Sequence, residues 1–244
     1  MVSLKNKVVV ITGASSGIGK AAAFAFWKTE ANVVVAARRA GRLKELEKSL
    51  GKRCLAIPAD VTKEKEVTSL FRETVRRFGR VDVLVNCAGK GLRAGLHAIT
   101  YEQWMDTLHT NLTSVFLCTR EASKVMRRTG MGGHIITLSS LAGIFNIPGY
   151  SGYCCAKHAV TSFKRSIKWE LLRHGIKVTT VHPYKVATEF FDDYEKKPNP
   201  RRMLSSTDIA RYIVAIAERN PFKILFFACL NFVKRMAGLF GLRG

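Results

Sequence analysis

The sequence predicts an α/β fold, a Rossmann-like doubly wound parallel sheet of about seven strands with helices on both faces. Three observations carry this expectation. Short, continuous, β-branched runs such as Lys7–Thr12 and Asn32–Ala37 recur along the chain, which is how strands buried on both faces read. Amphipathic stretches of helical length separate them, so strand and helix alternate. The first run also empties into Gly13-Ala14-Ser15-Ser16-Gly17-Ile18-Gly19 and then an apolar helix through Phe26 and Trp27.

Composition bounds the rest. At 244 residues and 47% hydrophobic content, the chain suits one α/β domain over 1–221, with 222–244 as a tail, and disorder is excluded. Lys and Arg number 40 against 18 Asp and Glu, a formal charge of +22, so anionic partners are favoured. The six cysteines form no C-x-x-C pair, so reduced thiols in a cytoplasmic setting are expected. The six histidines show no ligand spacing, and no metal is expected. No signal peptide is expected, and no apolar run reaches the ~18 residues of a membrane span.

Each element then has a reason. The glycine turn lets backbone approach a pyrophosphate, and the helix behind it offers free N–H groups. At the end of Asn32–Ala37 no acid stands where ribose hydroxyls would be bound. Arg38 and Arg39 follow instead; they suit a 2′-phosphate, hence NADP(H) over NAD(H), or they begin a solvated basic helix. Cys54–Ala59 is a third strand ending at Asp60-Val61, and Thr62 is expected to cap a helix to about Phe78. Val81–Val85 is the fourth, closing on Asn86-Cys87-Ala88-Gly89, where small residues leave room for a flat ring or ribose. Tyr101–Met126 reads as a long helix interrupted at Asn111. That Asn either bends the helix or holds a water beside Lys157.

His134–Leu138 is the fifth strand and delivers Ser139-Ser140 into a Gly/Pro-rich loop. The helix Tyr153–Arg173 follows; Tyr153 and Lys157 lie one turn apart on one face, ~6 Å. A hydroxyl, a phenol and an ammonium thus converge where a substrate oxygen gains or loses a proton. Lys177–Val181 is strand six, residues 189–205 form a polar flap, and Ser206–Arg219 is a surface helix.

These residues, in this order, resemble the short-chain dehydrogenase/reductase family: Thr12-Gly13-Ala14-Ser15-Ser16-Gly17-Ile18-Gly19, Asp60, Asn86-Cys87-Ala88-Gly89, Asn111, Ser140, Tyr153, Lys157 and Thr188. The likeness runs to about residue 219 and is similar to hydroxysteroid-dehydrogenase-like members. It implies Ser140 over Ser139, since Ser140 lies thirteen residues before Tyr153, the family's interval. It implies Tyr153 as general acid and base, its pKa lowered by Lys157. Ser140 would bind the substrate oxygen, Lys157 the nicotinamide ribose and Asn111 the relay water. Gly13, Ser15, Ser16, Gly17, Ile18 and Gly19 would cradle the pyrophosphate. Asp60 and Val61 would border adenine, Asn86, Ala88 and Gly89 the adenosine ribose, and Pro183 and Thr188 the nicotinamide end. Tyr184 departs from the family's Gly after that proline, so it is expected to narrow the substrate mouth, stack on a substrate ring or weaken cofactor placement. A homodimer or homotetramer is implied as well.

From Phe222 to Gly244 lie five Phe, four basic residues and no acid. Lys223–Phe227 is expected to add a final edge strand. Beyond it, Asn231, Lys234, Arg235 and Gly238 share one stripe of an amphipathic helix, which suits an anionic membrane surface or docking on the domain or a second subunit. The reading is therefore an oxidoreductase for an apolar secondary alcohol or ketone, cytoplasmic and peripheral on a membrane. The alternatives are a 3-oxoacyl carrier-protein reductase, docking its carrier on Arg127, Arg128, Arg165 or Arg173, and a non-catalytic nucleotide sensor. No nucleic-acid partner is expected, as no basic groove carries interleaved aromatics.

Overall fold

The computed structural model of the chain describes residues 1–191 and 203–227. Six strands form one sheet: β1 (Val8–Thr12), β2 (Asn32–Ala37), β3 (Cys54–Pro58), β4 (Val83–Asn86), β5 (Gly133–Leu138) and β6 (Ile176–Val181). Their spatial order is β3-β2-β1-β4-β5-β6, and every ladder in it is parallel. The order reverses between β1 and β4, so the crevice at their carboxyl ends is where such a sheet admits a ligand.

Period-two alternation splits the strand residues between two cores. Val9, Ile11, Val33, Val35, Val83, Val85 and Ile136 face one side, under α1 (Gly17–Trp27), α2 (Ala40–Leu50) and α7 (Ser206–Ala217). Val8, Val10, Val34, Leu84 and Ile135 face the other, under α3 (Glu64–Phe78) and α5 (Ser114–Thr129). Both faces being covered explains the unbroken apolar strands. Phe26 on α1 is fully buried, a burial contributing about 2–3 kcal/mol.

Helix boundaries follow local chemistry. Thr100 accepts a hydrogen bond from the Gln103 N–H at 3.2 Å while the Gln103 side chain accepts from the Thr100 N–H at 3.1 Å. This capping box opens α4 (Tyr101–Leu108). The helix expected over Tyr101–Met126 with an interruption at Asn111 is α4, a π-helical turn at His109–Thr113 and α5. The break centres on Asn111, whose amide donates to the Lys90 and Thr107 carbonyls at 2.9 and 3.0 Å. Gly79 (φ +76°) and Gly130 (φ +67°) end α3 and α5 in the left-handed conformation that other residues resist.

Four expectations are corrected. Thr62 does not cap α3: Lys63 holds that place with no side-chain bond, and the Thr62 hydroxyl donates to Asp60 Oδ1 at 2.7 Å. The helix expected over Ser206–Arg219 as a surface element packs on α1 and buries Ile209, Ala210, Ile213 and Ile216. Residues 221–227 are helical, so the edge strand expected at Lys223–Phe227 is absent. Asn220 caps this turn, accepting from the Lys223 N–H at 3.1 Å, and Pro221 follows where its missing N–H costs nothing. The end of the expected polar flap is ordered as β8 (Leu204–Ser205), which pairs with β7 (Val186–Ala187), just before the flap, outside the main sheet. The rest of that flap and the amphipathic tail lie outside the described residues.

Candidate active site

The β5 end feeds the site. Adjacent residues on an extended chain point oppositely, and the serine pair divides its tasks accordingly. Ser139 turns to the helix α6 (Ser151–Leu172), donating to the Lys157 carbonyl at 3.2 Å and pairing with the Thr161 hydroxyl at 3.2 Å. Ser140 stands close enough to the Tyr153 phenol to lower its pKa, and its Oγ accepts from the Ala142 N–H at 3.2 Å. The loop lies so close to α6 that a Cβ on Gly143 would stand 2.4 Å from Ser139 Oγ and 2.7 Å from the Lys157 carbonyl oxygen. Behind it, the Ser140 carbonyl accepts from His182, which bears Nδ1 3.1 Å away.

Tyr153 and Lys157 rise from the first turns of α6, both buried. Lys157 Nζ donates to the Leu138 carbonyl at 3.2 Å and lies 5.6 Å from the Tyr153 ring centroid. Burial pushes the phenol well above its ordinary range, with the Ser140 hydrogen bond pulling the other way. This corrects the expectation that Lys157 lowers it: the ammonium bonds to a carbonyl rather than to the phenol, so desolvation dominates. Burial brings Lys157 itself down to about 8.

Asn111 joins them from the π-helical turn. Its Oδ1 is buried with no protein partner. A Cβ on Gly89 would lie 2.8 Å from that oxygen and 3.5 Å from Lys157 Nζ, so the bare glycine is what lets the two approach. Over Ser140, Tyr153 and Lys157 stands a cleft of about 380 Å³ with Leu141, Phe145, Ile147, Val186 and Phe190 along its walls, and Asn111 lies buried behind it. Tyr184 lines it too, beside Pro183 and Thr188, with Lys185 Nζ 5.7 Å above its ring. A mostly apolar wall around a few convergent polar groups is the usual form of a small-molecule site.

The dinucleotide residues gather at the switch point. Thr12 Oγ1 accepts from the N–H groups of Cys87 and Ala88 at 3.2 and 3.3 Å, stitching the glycine turn to the β4 end. A Cβ on Gly13 would meet the Ala88 backbone at 2.7 Å. Asp60 Oδ1 accepts from the Thr62 N–H and hydroxyl. Its partial burial works to raise the pKa, yet these bonds, with Arg38 and Lys63 nearby, hold the carboxyl below its ordinary value. Val61 packs beneath it in the α3-side core.

Asn86 is different from expectation: its side chain is 2% exposed and donates to Thr137 at 3.1 Å, inside the β4–β5 layer and away from the cleft. Arg39 donates to Ser15 Oγ (3.0 Å) and Ser16 Oγ (2.7 Å), and also to Glu189. Thr12 and Glu189 are the residues that sequence reasoning did not place at the site. Thr12 stood in the quoted motif without a task; Glu189 had no signal beyond following Thr188.

Two features test whether a dinucleotide suits this cradle. Helix α1 opens with no side-chain cap, leaving first-turn N–H donors for an anion. Gly17 adopts φ +52°, and a Cβ there would meet Thr188 Cγ2 at 3.0 Å, closing the approach along which Ile18 and Gly19 begin the helix. The residues fit the group.

Comparison with known proteins agrees. A family model described as short chain dehydrogenase matches residues 7–199. The chain is 35% identical over 216 residues to a 3-oxoacyl-[acyl-carrier-protein] reductase of Synechocystis sp., covering 87% of this chain and 85% of that one. It is 34% identical over 225 residues to a farnesol dehydrogenase of Aedes aegypti, covering 88% and 91%. A crystal structure of a 3-ketoacyl-(acyl-carrier-protein) reductase from Brucella melitensis, complexed with NADH, superposes with a TM-score of 0.84 at 25% identity, covering 91% and 93%.

Proposed function

Because the chain belongs to the short-chain dehydrogenase/reductase family, and so is an NAD(P)-dependent oxidoreductase, we propose that it interconverts an apolar secondary alcohol and a ketone with NADP(H). The convergence of Ser140, Tyr153 and Lys157 at an apolar cleft carries this reading. The cofactor supplies or accepts the hydride; the chain fixes geometry and protons. Ser140 holds the substrate oxygen by a hydrogen bond. Tyr153, kept protonated by burial, donates its phenolic proton to that oxygen during reduction and recovers one during oxidation. Lys157 would hold the nicotinamide ribose, and Asn111 Oδ1 accepts from the water that returns the proton. Phe145, Ile147 and Phe190 favour a lipid- or steroid-like body, and Tyr184 offers it a ring face. The family binds NAD(H) or NADP(H); support for the phosphorylated form is the absence of an acid at Ala37 and the basic Arg38, Arg39 and Arg42 beyond it.

A panel of ketones and alcohols assayed with NADPH and NADH in parallel tests this. Hydride transfer is expected with apolar ketones, faster with NADPH, and lost by at least a hundredfold in Tyr153→Phe. A clear NADH preference refutes the cofactor choice, and undiminished Tyr153→Phe refutes the mechanism. The named 3-oxoacyl relatives favour a second reading, reduction of a carrier-bound ketone; turnover of carrier-bound over free ketones would select it. The exposed Phe116, Trp169 and Leu172 on α5 and α6 support a homodimer or homotetramer. Among the described residues no helix is long and apolar enough to cross a membrane; we assign the chain to the cytoplasm, peripheral on membranes through 222–244.

A further inference from the structure

Glu189 follows Thr188 and reaches across the cofactor side of the cleft to α2. Its carboxylate accepts from Arg42 Nη1 on both oxygens, at 2.7 and 2.8 Å, and from Arg39 Nη1 at 2.9 Å. The other nitrogens of Arg39 are held by the Ser15 and Ser16 hydroxyls in the glycine turn. A guanidinium held from three sides at the end of β2 is a built anion site, and the chain's own carboxylate sits in it.

The neighbouring residue gives this contact reach. Phe190 packs its ring on Tyr153, with centroids 5.5 Å apart, and its N–H donates to Thr188 Oγ1 at 3.3 Å. One short turn, Glu189–Phe191, therefore joins the two arginines to the phenol. The three charged side chains are each 45–46% exposed, so solvent screens the pairs and a more highly charged phosphate can displace a single carboxylate.

We propose that Glu189 is a latch occupying the place of a ligand phosphate: the 2′-phosphate of NADP(H) displaces it from Arg39 and Arg42, which releases Phe190 from Tyr153, whereas NAD(H) leaves it shut. The latch rests on the dinucleotide reading above and adds to it a specificity-determining residue on the substrate side. Cofactor preference and access to the acid/base group are thereby one equilibrium.

Calorimetric titration of the full chain with adenosine 2′,5′-bisphosphate and with 5′-AMP tests it, in the native protein and in Glu189→Gln. Losing the internal competitor should tighten the bisphosphate roughly threefold to tenfold and leave 5′-AMP unchanged. Hydrogen exchange gives a second measurement on the native chain: protection of 186–191 should fall with the bisphosphate and not with 5′-AMP. An unchanged or weakened bisphosphate affinity in a folded Glu189→Gln protein overturns the latch. So does unaltered exchange at 186–191, which applies even if the variant does not fold. Failure of both ligands to bind the native chain would instead overturn the dinucleotide reading, and the latch with it.

Discussion

Lys164 on α6 is a cation enclosed in the protein, 2% exposed, with Nζ donating to the Thr119 hydroxyl of α5 at 3.0 Å. Burial lowers its pKa from 10.5 to about 7. Between about pH 7 and 10.5 the unfolded chain holds a proton on this lysine that the folded chain has released, so stability rises with pH across that window. Below pH 7 the burial penalty is present in full. Lys164→Met keeps the volume and removes the charge. It should raise the Tm by roughly 2–8 °C at pH 7 and flatten the rise above it. Calorimetric melts from pH 7 to 10 check this, and a lower Tm at pH 7 would contradict it. Such a residue was not legible in the sequence, where Lys164 looks like any helical lysine. Glu189 was hidden for a related reason, since its partners lie about 150 positions away. Asn111 was legible because an Asn within a helical pattern conflicts with its surroundings locally, and the π-helical turn resolves that conflict.

Elements carry their own constraints, and the β1–α1 turn is the tightest. A Cβ on Gly19 would stand 2.4 Å from the Gly13 carbonyl oxygen, a backbone atom that cannot swing aside. Gly19→Ala must therefore part the helix from its strand. A loss of roughly 1–3 kcal/mol in denaturant unfolding and of more than tenfold in NADPH affinity is expected. Native affinity in the variant would mean that the junction has slack. The parallel strands were legible because burial on both faces keeps them mostly β-branched and apolar, with Asn32, Asn86, His134 and Lys177 at or next to strand ends. Residues 221–227 misled for the same reason: Ile224, Leu225, Phe226 and Phe227 suit a strand, while Asn220-Pro221 announces a helix start. There the terminal signal prevailed over side-chain propensity. The surface-helix reading of α7 failed because Thr207 and Arg211 mark only its outer face; Ile209, Ile213 and Ile216 are buried in the core shared with α1.

The whole molecule adds charge and connectivity. With +22 distributed over 244 residues, attraction to anionic surfaces is general and salt-sensitive. We propose that the Phe-rich tail gives that attraction an apolar anchor. Deleting 228–244 should abolish sedimentation with anionic liposomes while leaving the circular dichroism spectrum native; equal sedimentation of both forms would refute tail-directed binding. The stitch between Thr12 and the Cys87 and Ala88 amides has a further consequence, concerning time rather than chemistry. It joins segments some 75 residues apart in the chain, and each parallel pairing in the sheet likewise waits on a crossover. Such long loops must close before their contacts repay the lost entropy, which slows folding. The joint between the glycine turn and the β4 end thus depends on the sheet being formed. A ligand held there stabilises the entire fold, by about 2.7 kcal/mol at a hundredfold excess over its Kd, and so lowers the fraction of chains open to proteases.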